Sequence, residues 1–320
     1  MIISKTPLRI SFVGGGSDNL INQQNFEGKV LSTTIDKFVY LCVNKKFDNH
    51  VRFSYSLTEN VNSSYKLKHP IAKNVLQYFK ISNGLEISSI ADIPSSGSGL
   101  GSSSAFLVGL VNCLNFYKKR KMSKKNIAEL ACHIELKKMQ QPIGMQDQYS
   151  AAYGGFNTMF FKNNKVVVNK LELNARRLKK FKDSLVLVST NKSRDANTIL
   201  QSVKRNKNMK SLKEIVNLVD IFKYELCHGD INNLGLILHE NWIKKKEMSK
   251  NVSNNYLDSI YSYAINRGAL GGKLLGAGGG GFFLFFVKKN TKNCFLNKMK
   301  KFDIVDFNFY NSGTQIIYND

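Results

Sequence analysis

Two hydrophobic periods divide the chain. Residues 1–13 read as a strand that stops at Gly14, Gly15 and Gly16. Residues 29–47 alternate and are rich in Val, Thr, Tyr and Phe, which predicts one or two strands, and Val51 to Tyr55 predicts another. Ile71 to Phe79, directly after Pro70, reads as helix, and the run LEISSIAD reads as a strand leading into a Gly/Ser loop. Beyond that loop the period becomes helical, over about 102–118 and 123–138. In the second helix Ile127, Leu130, Ala131 and Ile134 fall at i, i+3, i+4 and i+7, one buried face, and Ser123 is its N-cap. Pro142 and Gly144 break the pattern; a further helix over Met145 to Tyr153 ends at Gly154 and Gly155 and is followed by strands near 156–161 and 165–169.

The charged segment NARRLKKFKD marks a boundary near residue 175, giving expected domains over 1–175 and 176–320. The second opens with the strand SLVLVST and is then largely helical to about 266, with breaks near 209, 229 and 251. Residues 271–287, GGKLLGAGGGGFFLFFV, read as strand, glycine turn and buried strand; a helix near 291–300 and two closing strands finish the chain. Strands and helices mix without strict βα alternation, so the expected class is α+β.

Composition narrows this picture in two places. Five cysteines (Cys42, Cys113, Cys132, Cys227, Cys294) are scattered, odd in number and without metal-ligand spacing, which predicts free thiols in a reducing cytoplasm. No apolar stretch is long enough to span a membrane, and the N-terminus lacks a small-residue cleavage site, so neither a membrane partner nor a signal peptide is expected. The net charge of +24 comes mostly from Lys, which outnumbers Arg 39 to 8 and is spread along the chain. With no zinc finger, RNA-recognition signature or basic arm, no nucleic-acid partner is expected; attraction of anionic small substrates is the milder consequence. A homodimer is left open.

The chemistry is concentrated in four stretches. In DIPSSGSGLGSSSAF (92–106), three alternating glycines precede three serines at a helix start. Gly lets the backbone turn and approach a ligand closely, and a helix N-terminus favours a phosphate. The alternative is a flexible turn with an N-cap. It is not a Walker A loop, because Ser102 rather than Lys follows Gly101. In FVGGGSD, Arg9 upstream and Asp18 downstream suggest a backbone bend beside a ligand. In IGMQDQYSAAYGG, Asp147 lies between two glutamines; with Glu135 on the preceding helix it suggests two carboxylates near a phosphate loop, which suits Mg²⁺. In KLLGAGGGGF, a tight hairpin explains two glycines, and the others predict something bulky against the backbone, with the ligand as the candidate.

These pieces, in this order, resemble the GHMP kinases. The family's phosphate-loop pattern Pro-x-x-x-Gly-Leu-Gly-Ser-Ser begins at Pro94 with one extra residue, and Lys273 to Gly281 resembles its third motif. Within the family, PLRISFVGGGSD, VLSTTIDKFVYL, GLGSSSAFLVGLVN, IGMQDQYSAAYGGFN and GALGGKLLGAGGGGFFLFF look most like the bacterial heptose 7-phosphate kinases. The resemblance implies two α+β domains with the active site in the cleft between them, and transfer of phosphate from ATP to the anomeric hydroxyl of a sugar phosphate. Related sugar kinases (fucose-like) and a non-catalytic sugar-phosphate binder are the alternatives. By the same resemblance, Asp147 is the general base or electrostatic partner and Arg9 polarises the phosphoryl. Ser96, Gly97, Ser98, Gly99, Leu100, Gly101, Ser102 and Ser103 hold ATP, and Ser103 with Glu135 holds Mg²⁺. Gly15, Gly16, Ser17, Asp18, Gly278 and Gly279 are placed at the acceptor. Lys5, Lys192, Arg194 and Lys273 are candidates for its own phosphate, Arg194 first.

Overall fold

The computed structural model describes residues 1–19, 26–93, 97–192, 198–202 and 208–320. Two long antiparallel strands, β1 (Ile2–Val13) and β2 (Gly28–Lys45), are the spine of the first sheet. β2 is one 18-residue strand long enough to serve several neighbours along its other edge. Its far end pairs with β5 (Leu85–Ala91), and its near end with β6 (Asn157–Lys162). β3 (Val51–Ser54) lies parallel to β5 and carries the outer strand β4 (Thr58–Val61), while β7 (Lys165–Lys170) extends β6.

The helices of this half are α1 (Pro70–Tyr78), α2 (Ser102–Tyr117), α3 (Lys124–Cys132) and α4 (Gln146–Tyr153). α2 is apolar all round and buried almost throughout, the pattern of a helix enclosed on every side. It lies across β1 so closely that a Cβ on Gly109 would stand 2.7 Å from Thr6 Oγ1. The helix predicted over 123–138 is not uniform: beyond α3 its last turns, His133–Lys138, are a π-helix, with Met139 N donating to Ile134 O at 2.9 Å.

The segment NARRLKKFKD, taken from its charge as a separator, contains α5 (Ala175–Asp183), whose Phe181 is fully buried. Then come β8 (Leu185–Ser189), α6 (Met209–Cys227), α7 (Asn233–Glu247), α8 (Asn255–Ile265), β9 (Ala269–Leu274), β10 (Phe282–Val287) and α9 (Lys292–Lys298). Three short strands close the chain rather than two: β11 (Ile304–Val305), β12 (Phe309–Tyr310) and β13 (Gln315–Asn319). β11, β8, β10 and β9 form a four-stranded antiparallel sheet, whereas β12 and β13 return to β2 and β1 of the first sheet.

The run FFLFFV is buried along its whole length because both faces of β10 are covered. Phe283 and Phe285 pack with Trp242 and Tyr261, while Leu284 and Phe286 join the core that runs into the first sheet. That shared core centres on Phe12 of β1, 5.2 Å from Phe181 and 5.4 Å from Phe222 between ring centroids. The two sheets therefore share one apolar interior. All five cysteines are free, with Cys113 and Cys132 buried.

Candidate active site

The loop between β5 and α2 is shaped by three glycines. Gly97, Gly99 and Gly101 have φ of 71°, 75° and 77°, a left-handed conformation that side chains resist. The intervening serines close the loop on itself: Ser98 Oγ and Ser102 Oγ are 2.8 Å apart, and Leu100 N donates to Ser98 Oγ at 3.3 Å. Gly101 is the N-cap of α2, and no side chain caps this 16-residue helix, so its first N–H groups are open to an anion. Pro94 and Ser96 lie outside the described residues.

Beneath the loop is an ion pair joining positions far apart in the chain. Arg9 Nε and NH2 donate to Asp147 Oδ1 and Oδ2, both at 2.7 Å, and Arg9 NH1 donates to Gly99 O at 2.6 Å. The Arg9 backbone N donates to Leu100 O at 2.9 Å. One buried arginine thus fixes both the carboxylate and the loop, using the paired geometry of guanidinium and carboxylate. A Cβ on Gly101 would lie 3.4 Å from Asp147 Oδ2 and 3.2 Å from Arg9 Cγ, so the loop rests directly on the pair. Arg9 is 4% exposed and Asp147 23%, which leaves the carboxylate as the reachable member.

Glu135 lies in the π-helix and is 3% exposed. Its Oε2 accepts from Ser104 Oγ at 3.0 Å and from Gln148 Nε2 at 2.7 Å. Burial raises its carboxyl to about 7; hydrogen bonds from Gln148, Ser104 and Ser103 pull the other way, and the charge of Asp147 adds to the rise. Ser103 is exposed at the first turn of α2, one residue from Ser104. Sequence reasoning passed over Ser104 and Gln148 as Glu135 partners, although Gln148 belongs to the QDQ triplet already singled out. Among the described residues no group of three or more His, Cys, Asp or Glu could hold a metal ion.

The turn after β1 is built inward. A Cβ on Gly14 would stand 1.9 Å from Lys29 O, so only glycine fits where β1 and β2 converge. Ser17, expected at the acceptor, donates its hydroxyl to Gly14 O at 2.7 Å and Lys29 O at 3.0 Å and braces the turn. Asp18 Oδ1 accepts from Gly16 N at 3.1 Å and Oδ2 from Gln146 N at 3.0 Å, which ties this turn to the residue before Asp147. Burial raises the Asp18 carboxyl above its ordinary range, and the Asp147 charge adds to the rise against these two backbone hydrogen bonds. Gly144 makes room for it, since a Cβ there would fall 1.8 Å from Asp18 Oδ2.

Gly278, Gly280 and Gly281 pack against the protein's own backbone, at Val252, Lys192 and Ser98. A Cβ on Gly281 would stand 2.4 Å from Ser98 O, and one on Gly99 would stand 2.5 Å from Leu275 O. The loops of the two sheets are therefore in main-chain contact. Gly278 packs on Val252, and Gly279 N donates to Val252 O at 2.8 Å.

Of the four basic candidates for an acceptor phosphate, Arg194 lies outside the described residues. Lys5 Nζ lies over the Phe38 ring, 3.9 Å from its centroid. Lys192 is exposed, and its carbonyl accepts from Gly281 N at 3.0 Å. Lys273 is buried and donates to Phe12 O at 2.7 Å. Burial, reinforced by the Arg9 charge, lowers its ammonium to about 7.

Comparison with known proteins places this geometry. The profile of the GHMP kinases N terminal domain matches residues 65–155, and that of the GHMP kinases C terminal matches residues 222–303. The chain is 32% identical to the D-glycero-alpha-D-manno-heptose 7-phosphate kinase of Campylobacter jejuni, covering 98% of each. A solved putative sugar kinase from Campylobacter jejuni superposes with a TM-score of 0.79 at 31% identity, covering 98% of this chain and 97% of that one. The fold also matches a D-glycero-D-manno-heptose 1-phosphate kinase from Bacteriodes thetaiotaomicron, with a TM-score of 0.83, 24% identity and all of both chains covered.

Proposed function

The chain belongs to the GHMP kinase family, and on that premise we propose that it transfers the γ-phosphoryl group of ATP to the anomeric hydroxyl of D-glycero-D-manno-heptose 7-phosphate, giving the 1,7-bisphosphate. The observation that carries phosphoryl transfer is the Gly loop seated on the Arg9–Asp147 pair, which puts anion-binding N–H groups beside a reachable carboxylate. The acceptor is supported by the 32% identity across 98% of both chains with the Campylobacter jejuni enzyme.

Phosphoryl transfer asks a protein mainly to position reactants and neutralise charge. In this reading the N–H groups from Gly97 to Ser103 cradle the nucleotide phosphates. Arg9 spends three N–H groups holding Asp147 and Gly99, so it orients the carboxylate and the loop together. Asp147 accepts the proton of the acceptor hydroxyl as its oxygen bonds to the γ-phosphorus and the bridging P–O bond to ADP breaks. Asp18 and the turn it anchors adjoin the acceptor, and exposed Lys192 is the described cation available to the acceptor's own phosphate. We place the reaction in the cytoplasm; no described helix is long and apolar enough to cross a membrane.

Magnesium fits the residues present. Glu135 is a buried carboxylate that makes no ion pair among the described residues and is surrounded by neutral donors. Mg²⁺ takes one or two carboxylates and completes its shell with phosphate oxygens and water, so a full protein cage is not required. Ser103 and Glu135 would hold it, and it would neutralise charge on the phosphates. Glu135→Gln is expected to raise the Mg²⁺ concentration for half-maximal rate by about tenfold or more with the acceptor KM unchanged. Because Glu135 titrates near 7 and a protonated carboxyl cannot ligate, the Mg²⁺ requirement of the wild type should rise as pH falls below that value. Mg²⁺ titrations at pH 6 and 8 that coincide for both proteins would remove Glu135 from this role.

The test of the function is ATP consumption with a panel of sugar phosphates, free sugars and non-sugar alcohols, the phosphate position being read by NMR. Turnover selective for the heptose 7-phosphate, with phosphate appearing on C1, is the expected result. Turnover confined to a fucose-type sugar or to a non-sugar alcohol, or none at all, would overturn it.

A further inference from the structure

Among the buried polar atoms that lack a hydrogen-bond partner, Ser11 Oγ and Gln146 Oε1 lie together beside the candidate site. Ser11 is two residues after Arg9 on β1, so both side chains issue from one face of the strand, the face that meets Asp147. Gln146 precedes Asp147, and its backbone N holds Asp18. The two side chains meet at Gly15. A Cβ built there would stand 3.5 Å from Ser11 Oγ and 3.9 Å from Gln146 Nε2. Ser11, Gln146 and Gly15 thus form a small polar patch, linked to Asp18 and Asp147 through the Gln146 backbone.

A buried hydroxyl or amide oxygen with no partner is costly, and native proteins carry few of them. Ser32 pairs with Ser150 at 3.0 Å, and Ser17 bonds two carbonyls. Gln148 Oε1 and Thr158 Oγ1 are also unpartnered, but Ser11 and Gln146 are the unmet side chains that flank Gly15. Gly15, between Gly14 and Gly16, packs against both side chains. Gly15 itself meets nothing nearer than 3.5 Å at its Cβ position, so it can shift at low steric cost and uncover both atoms.

We infer that Ser11 and Gln146 read acceptor hydroxyls next to the one that reacts, and so select a polyhydroxylated acceptor. The inference rests on the kinase reading above and adds to it the groups that set acceptor choice. A site built to hydrogen-bond a hydroxyl rejects an analogue that lacks it, because the protein's own polar atoms are then left unpaired on binding. A single-hydroxyl alcohol would leave Ser11 and Gln146 unmet, whereas a sugar meets them.

The test compares wild type, Ser11→Ala and Gln146→Leu in the full chain, with the acceptor and its single-deoxy analogues. Ser11→Ala should raise the acceptor KM about tenfold, the worth of roughly one hydrogen bond, and leave the ATP KM unchanged. Its Tm should hold or rise, since an unpaired buried hydroxyl is removed. One deoxy analogue that the wild type discriminates against should be accepted by Ser11→Ala as well as the parent sugar, and Gln146→Leu should relax selectivity at a neighbouring hydroxyl. An unchanged acceptor KM in both variants, or a lowered Tm with both KM values raised together, would overturn the inference in favour of a packing role. If only a different sugar turns over, the function reading fails, and the Ser11 comparison on that sugar still decides this one; turnover confined to a single-hydroxyl alcohol overturns both. No turnover with any acceptor overturns both.

Discussion

Asp147→Asn is expected to lower kcat by roughly two to four orders of magnitude, the usual worth of a positioned general base. Two effects combine. Asparagine cannot take up the acceptor proton, and it offers Arg9 one neutral oxygen in place of two charged ones 2.7 Å away. Arg9 is almost fully buried, so an unpaired guanidinium there is costly, and the Tm should fall as well. The two effects separate experimentally. Loss of the proton acceptor lowers kcat with ATP affinity retained, whereas a displaced Arg9 also releases Gly99 and raises the ATP KM. Single-turnover kinetics with nucleotide binding by calorimetry distinguishes them. A variant that folds, binds ATP and turns over at near the wild-type rate would remove Asp147 from the chemistry.

The second large effect is on stability. Lys273 falls from an ordinary 10.5 to about 7 in the folded chain. Between those values the unfolded chain binds the proton and the folded one does not, so stability rises with pH from about 7 to 10.5 and is lowest below 7. A difference of about 3.5 units corresponds to roughly 4–5 kcal/mol of penalty at pH 6, as an order of magnitude. Lys273→Met removes that penalty but leaves Phe12 O without its donor, a cost of about 1–3 kcal/mol. The variant should therefore be more stable than wild type by about 1–4 kcal/mol at pH 6, and the advantage should shrink or reverse by pH 10. Urea denaturation of both proteins across that range checks it. Parallel curves would mean that Lys273 keeps its proton in the folded state.

The sequence made most elements legible because their periods are strong. The strand of 1–13, the apolar α2 and the FFLFFV strand all follow from local pattern. What stayed hidden depends on pairing across the chain. Nothing near Arg9 or Asp147 reveals that they meet, 138 positions apart in the chain. A period of 3.6 cannot show that the helix carrying Glu135 widens to a π-helix, although the ladder shift at Met139 is part of how that carboxylate turns inward. The return of β12 and β13 to the first sheet was likewise invisible, because short strands of two to five residues carry little periodicity. The glycine-rich stretches were recognised as close approaches, and at Gly281 the approaching group is a main-chain one, Ser98 O.

That main-chain contact limits how such a site can diversify. Where Gly99 meets Leu275 O and Gly281 meets Ser98 O, every residue with a Cβ collides, so ordinary substitution cannot adjust the joint. Inheritance can alter it only by changing loop length. In the reading proposed above, new acceptor preferences would arise at side chains such as Ser11 and Gln146, away from this joint.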